Sequence, residues 1–304
     1  MNDRHFALYF TPEHMAAARA GAASPPLSEA WVALRERQPG GPLDFGFRTV
    51  FLDEAESAQR ALGGLLLRAN AGAGERRYIE RAAAFVAHLQ AFEMVRSATG
   101  LEPDELRHWL AYAADEGAVL LAGVPLPPHE ALWRNLVRMA LAIVLEQPEQ
   151  AEVSAAEFGR VIAEDVRPQG FMSKVVAGED GGGLFRQIEA TAALVLTAEA
   201  GQGAGYGLWD VEVRGVSALT AALLPHYYFY DTAKWKWDRG VPPEDVKALF
   251  YRFGGYLEMV NRRMPNKDIQ IVLEDLRPLN TPLAGGWTTL SHGLVEKKRR
   301  GLFG

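Results

Sequence analysis

Apolar residues in this chain recur at helical spacing in segment after segment. No stretch sustains the every-other-residue alternation of a half-buried strand. The clearest case lies in residues 76–98, where Ile79, Ala83, Val86, Leu89, Phe92 and Val95 form one apolar face closed by Gly100. Proline and glycine punctuate the rest. Thr11-Pro12-Glu13 reads as a helix start, a capping hydroxyl followed by proline in the first turn. After Ser24-Pro25-Pro26, Trp31 and Leu34 share a face, and Pro39-Gly40-Gly41-Pro42 interrupts the chain again. A helix after Asp53 carries Ala61, Leu65 and Leu66.

Further helices are expected over residues 103–115 and 129–146, the latter stopped by Pro148. Ser154-Ala155-Ala156-Glu157 matches a capping box and predicts a helix start. Beyond the glycine-rich turn Asp180-Gly181-Gly182-Gly183, helices are predicted over 184–200, 216–230, 242–263 and 267–276. The chain is therefore read as all-α, helix hairpins repeating about every forty to fifty residues in one domain spanning residues 1–304. Periodicity alone leaves a bundle, an open solenoid and a closed ring as alternatives.

Composition narrows the function classes. A net charge of −6 offers no basic face for nucleic acid, so a polyanion would need a local cationic cleft. No apolar run is long enough to span a membrane, and Met1-Asn2-Asp3-Arg4 lacks the basic-then-apolar order of a leader. The expected location is cytoplasmic, or periplasmic or secreted if a leader has been trimmed. The absence of cysteine excludes disulfides, thiol nucleophiles and cysteine-ligated metal. No His-x-x-x-His spacing occurs, and no cofactor or metal is expected. Nothing in the sequence sets the oligomeric state.

Residues 204–237 stand apart. They hold eight of the 30 aromatic residues, where an even spread would give about three. Tyr227-Tyr228-Phe229-Tyr230 follows directly on His226. Arg186 and Glu189 precede the stretch, and Asp238 and Arg239 follow it. Hydroxyl- and indole-bearing aromatics can stack sugar rings and offer a polar handle, or they can pack as a helix contact.

The segment from Thr191 to Glu199, followed by Gly207-Leu208-Trp209, resembles the alginate lyase family. So does the tail, with Arg277-Pro278, Gly285-Gly286 and Thr289-Leu290. The resemblance implies an incomplete α/α toroid, an acidic polysaccharide lying in a cleft along its axis, and lyase chemistry that needs no metal. The chain departs from the family's catalytic words. Where an Asn-Asn-His word falls, it has Trp133-Arg134-Asn135-Leu136, and only Asn135 carries over. Where His-Tyr-His falls, it has Phe185-Arg186-Gln187.

Elimination from a uronate needs its carboxylate neutralised, a base at C5 and an acid at the departing oxygen. A tyrosine can serve as base and acid if cations lower its pKa. Tyr228 is the favoured acid/base, with Tyr227 and Tyr230 as alternates and His226 beside them. Asn135, set in an apolar helix between Arg134 and Arg138, and Arg186 are candidates to hold the carboxylate. Arg138, Glu189 and Arg214 are candidate substrate contacts, while Trp209, Tyr227 and Trp235 could stack sugars. Two readings stand beside the lyase. A glycoside hydrolase on the same toroid would draw on carboxylates such as Glu189 and Asp210. A saccharide-binding protein would have kept the fold without the chemistry.

Overall fold

The computed structural model describes residues 6–71, 77–177, 181–237 and 242–295. Asp180, the Asp238-Arg239 pair and the basic run 297–300 lie outside the described residues. The helices are α1 (Pro12–Ala20), α2 (Leu27–Glu36), α3 (Pro42–Leu52), α4 (Ala55–Ala71) and α5 (Tyr78–Val95). Next come α6 (Pro103–Leu121), α7 (Pro128–Val144), α8 (Pro148–Glu164), the single turn α9 (Ser173–Val176) and α10 (Gly183–Gly203). The chain closes with α11 (Ala218–Ala222), α12 (Pro243–Phe253), α13 (Tyr256–Arg263), α14 (Lys267–Leu276) and α15 (Thr288–His292). A small antiparallel hairpin, β1 (Glu212–Val213) with β2 (Val216–Ser217), interrupts them.

Proline in the first turn starts α1, α3, α6, α7, α8 and α12, where its missing N–H is no loss. The helices pack as a ring of hairpins. α3, α5, α7, α10 and α13 follow one another along the inside, and α15 and α2 lead back to α3. α4, α6 and α8 pack outside α3, α5 and α7. The inner layer explains why α10 is apolar almost all round, with every residue from Ala190 to Gly201 buried. This is an α/α toroid, as expected from the sequence.

Part of the ring interior is filled. A turn closed by Thr281 and Gly286 brings Gly285 against Leu196 of α10 and Met259 of α13. Gln90 of α5 donates to the Gly285 carbonyl at 3.2 Å. Gly286, at φ +73°, approaches α3 so closely that a Cβ would sit 2.6 Å from the Phe47 ring. Beside this turn Arg277 forks onto Glu258 at 2.7 and 2.9 Å, and the Thr289 hydroxyl donates to the same carboxylate at 2.8 Å. The tail's Arg-Pro, Gly-Gly and Thr-Leu words are thus a structural unit that holds the turn in place.

Three local expectations are corrected. The helix predicted over 216–230 is instead β2, the short α11 and a 3-10 turn from Pro225 to Tyr228, because Pro225 cannot donate into a continuing helix. α8 starts at Pro148, so Ser154 lies inside it. Its hydroxyl donates to the Asn135 carbonyl rather than capping an end. The helix predicted over 242–263 breaks at Gly254-Gly255 into α12 and α13. The approach of residues 281–288 requires that break, since a Cβ on Gly255 would lie 2.3 Å from the Ala284 carbonyl oxygen.

Candidate functional site

The first turns of α5 and α7, the second turn of α10 and the last turn of α12 bring charged side chains to one end of the ring. Arg77, at the start of α5, and Arg252, near the end of α12, both donate to one oxygen of Glu80, at 2.9 and 3.2 Å. Their hydrogen bonds, Arg77's first, hold the Glu80 carboxyl below its usual range. Glu189 of α10 lies close enough to feel Arg77, Arg252, Glu130 and Glu80. Burial pushes its carboxyl up, and the two arginines only partly offset that. Glu130, in the first turn of α7, is raised by burial as well. The Trp133 indole fixes the α7–α10 seam by donating to the Glu189 carbonyl at 3.1 Å.

The positive field continues along α7. Arg134, Glu130, Arg138 and Arg81 all act on the ionisation of Tyr78, which burial pushes up to about 12. Between α7 and α8 lies an open groove of about 550 Å³ lined by Arg134, Asn135, Arg138, Glu157 and Arg160. Arg160 is tied to Glu157 and Glu164. Arg134 donates to the Val124 carbonyl at 2.9 Å. Arg138 has only a 3.5 Å contact with the Asn135 side-chain oxygen, and burial and Arg134 together lower its proton affinity. Arg134 and Arg138 have no carboxylate within salt-bridge distance among the described residues, so this face offers two guanidinium groups to an anion.

The residues singled out from the sequence fall in separate neighbourhoods. Asn135 is buried and donates its amide to the Ser154 carbonyl at 3.1 Å, which joins α7 to α8. Leu136 beside it is fully buried. Arg186 donates to the Val175 carbonyl at 3.0 Å and ties α10 to α9. Gln187, at the His-Tyr-His position, staples the 170–172 segment by accepting from the Met172 amide and donating to the Gly170 carbonyl. Glu189 is the one candidate that joins the ring-end cluster, and Arg138 lies in the adjoining groove.

The aromatic stretch packs elsewhere. Tyr228 is half-buried and meets Trp235 edge-on at 4.9 Å, and burial raises its pKa. His226 is buried, and burial drives its pKa down to about 4, with Asp268 and the Leu223 backbone only partly opposing it. Tyr227 is exposed and stacks on His226 at 4.0 Å. Trp235 is buried between Tyr228 and Trp237, so it sits at a core edge. Trp209 is buried too, giving its N–H to Glu199 at 2.7 Å while Arg263 covers its ring. Arg214 takes the left-handed conformation, φ +54°, in the exposed turn of the β1–β2 hairpin. Asp210 follows Trp209, whose partner Glu199 lies about 15 Å of helix rise beyond Glu189, so Asp210 stands at the other half of α10 from Glu189.

Arg77, Glu80, Glu130 and Arg252 are new from the structure. Arg77 and Glu80 stand three apart at the head of α5, which is a readable pair. Arg252 joins them across 172 residues, and no local spacing reports that.

The sequence matches no family model and no curated protein. Solved structures do match. A tyrosine-to-phenylalanine variant of alginate lyase A1-III, complexed with a tetrasaccharide, superposes with a TM-score of 0.79 over 97% of both chains at 12% identity. A histidine-to-alanine variant, also with a tetrasaccharide, gives 0.75 over 97% of both chains at 12% identity. The alginate lyase A1-III structure from Sphingomonas species A1 gives 0.67, covering 83% of this chain and 74% of that one at 12% identity. At this identity the likeness establishes the architecture: the chain has the helical toroid fold seen in alginate lyase A1-III.

Proposed function

We propose that this protein is a polysaccharide lyase that binds a uronic-acid-containing chain across the ring end marked by Arg77, Arg252 and Glu189. The observation that carries the reading is the convergence of both arginines on a single Glu80 oxygen beside a carboxyl that burial keeps prone to hold its proton. A uronate carboxylate has the same charge and fork geometry as Glu80 and can take its place on the guanidinium groups. Arg134 and Arg138 then receive the next acidic unit along the groove. In the elimination, a base removes the C5 proton, the electron pair forms the C4–C5 double bond, and the C4–oxygen bond breaks. Protonated Glu189 gives its proton to the departing oxygen, and Glu130 is the base. Burial raises the pKa of Tyr228, which was favoured from the sequence, so the carboxylates are the better proton carriers here.

The presence of two burial-raised carboxyls, Glu130 and Glu189, also supports a second reading, hydrolysis by a carboxylate pair. Product analysis separates the two. The chain would be incubated with polymannuronate, polyguluronate, glucuronan and hyaluronan, and the ultraviolet absorbance of an unsaturated uronate followed. The lyase reading expects that signal on at least one polymer, with kcat/KM reduced about 10- to 100-fold by Arg252→Ala. New reducing ends without the absorbance would establish hydrolysis. Neither product, with retained binding, would leave a saccharide-binding protein.

A further inference from the structure

At the other half of α10, ten residues beyond Glu189, the fold gathers three potential metal ligands that are remote in sequence. His14 comes from α1, Glu199 from α10 and His292 from α15. One ligand atom from each lies within 4.8 Å of the other two. His292 Nε2 is 3.5 Å from Glu199 Oε1 and makes no hydrogen bond of proper geometry, although the ring is only 1% exposed. The two imidazole rings sit 4.9 Å apart. We infer that His14, Glu199 and His292 form a binding site for a divalent transition-metal ion, of which Zn²⁺ suits the donor set best.

Two imidazoles and one carboxylate are a recognised three-ligand set for Zn²⁺ that leaves a coordination position for water. Tetrahedral bonds of about 2.0–2.1 Å place ligand atoms about 3.3 Å apart, close to the His292–Glu199 separation. From separations of up to 4.8 Å, drawing in His14 takes at most about 1.5 Å of side-chain movement from a half-buried residue. The ligands are oriented from behind. His292 Nδ1 meets the Ser291 hydroxyl at 2.8 Å. Glu199 Oε2 accepts from Trp209 Nε1 at 2.7 Å and faces Arg263 Nε at 3.4 Å, which leaves Oε1 for an ion. His14 Nδ1 lies 3.1 Å from the Thr11 hydroxyl and 3.2 Å from its amide. Metal binding at the other nitrogen selects the tautomer that donates to the hydroxyl and gives up the amide bond.

Arg262 and Arg263 oppose a bare cation, so a bound hydroxide or carboxylate in the open position would complete the site. Room exists for one. A pocket of about 280 Å³, lined in part by Tyr9, His14, Glu199 and Arg263, adjoins the cluster.

The site is separate from the proposed saccharide surface, and its test does not depend on activity. Untagged, metal-free full-length chain is titrated with Zn²⁺ by calorimetry and with Co²⁺ by visible spectroscopy at neutral pH. The expected result is one ion per chain, visible bands from a low-coordinate cobalt centre, and affinity at least about tenfold weaker in His14→Gln. Glu199→Gln and His292→Gln should abolish the cobalt bands. If either buried variant fails to fold, His14→Gln decides, because its ring lies at the edge of the cluster. No binding by the wild-type chain, or binding unchanged in His14→Gln, would overturn the inference.

Discussion

Replacing Glu258 by glutamine should cost more stability than any change at the candidate site. Glu258 is fully buried, and its partner Arg277 has a side chain only 6% exposed. The guanidinium makes two bonds to the carboxylate, and Thr289 adds a third contact to it. Glutamine keeps the shape but removes the carboxylate charge that the buried guanidinium pairs with in the ring interior. Breaking one side of a buried pair costs about 3–5 kcal/mol. An unfolding entropy of roughly 2 cal/mol/K per residue gives roughly 0.6 kcal/mol/K for 304 residues. The expected fall in Tm is therefore about 5–8 °C, read by circular dichroism and checked by urea denaturation. The double variant Glu258→Gln/Arg277→Met, which removes both charges, should lose less than the sum of the single changes. A Glu258→Gln protein melting within about 1 °C of wild type would refute the claim that this pair anchors the Thr281–Gly286 turn.

Further outcomes follow from the same geometry. Gly286→Ala should destabilise by about 1–3 kcal/mol in urea, because alanine is strained at φ +73° and its Cβ meets Phe47; a neutral effect would contradict the close approach. His226 has a folded pKa near 4 against an ordinary value of 6.5, so the stability of its neutral form is present above 6.5 and lost as pH falls toward 4. His226→Phe should flatten melting temperature against pH in that window, and an unchanged profile would count against burial as the cause. Glu189 shows the opposite sign. Its raised folded pKa gives stability below 4.5 that is lost as pH rises through the folded value, so Glu189→Gln should gain stability relative to wild type at pH 8 but not at pH 4.

The helices were legible because proline and glycine mark their starts and breaks and helical spacing reports buried faces; that they close into a ring came only from the resemblance to the alginate lyase family. Pro12, Pro103 and Pro128 stand at real helix starts. Ser154 misled because a capping motif also occurs inside a helix, where a hydroxyl that bonds to a neighbouring chain looks the same in sequence. The aromatic stretch was harder to read. Tyrosine and tryptophan at this density suit a cleft and a packed loop equally, and here Tyr228 packs on Trp235 while Tyr227 and Tyr230 stay exposed. The site was only partly readable. Glu189 and Arg138 were visible as charged residues on apolar helices. Arg252 and Glu80, or His14 and His292, meet only after the ring closes, and no spacing rule links residues that far apart.

The decisive experiment is a structure with a uronate tetrasaccharide bound. The sugar is expected across the ring end, with one carboxylate on Arg77 and Arg252, the Glu80 side chain displaced, and a neighbouring unit reaching Arg134 or Arg138. A tetrasaccharide bound elsewhere, with Arg77, Glu80 and Arg252 still joined as they are here, would contradict the proposed function.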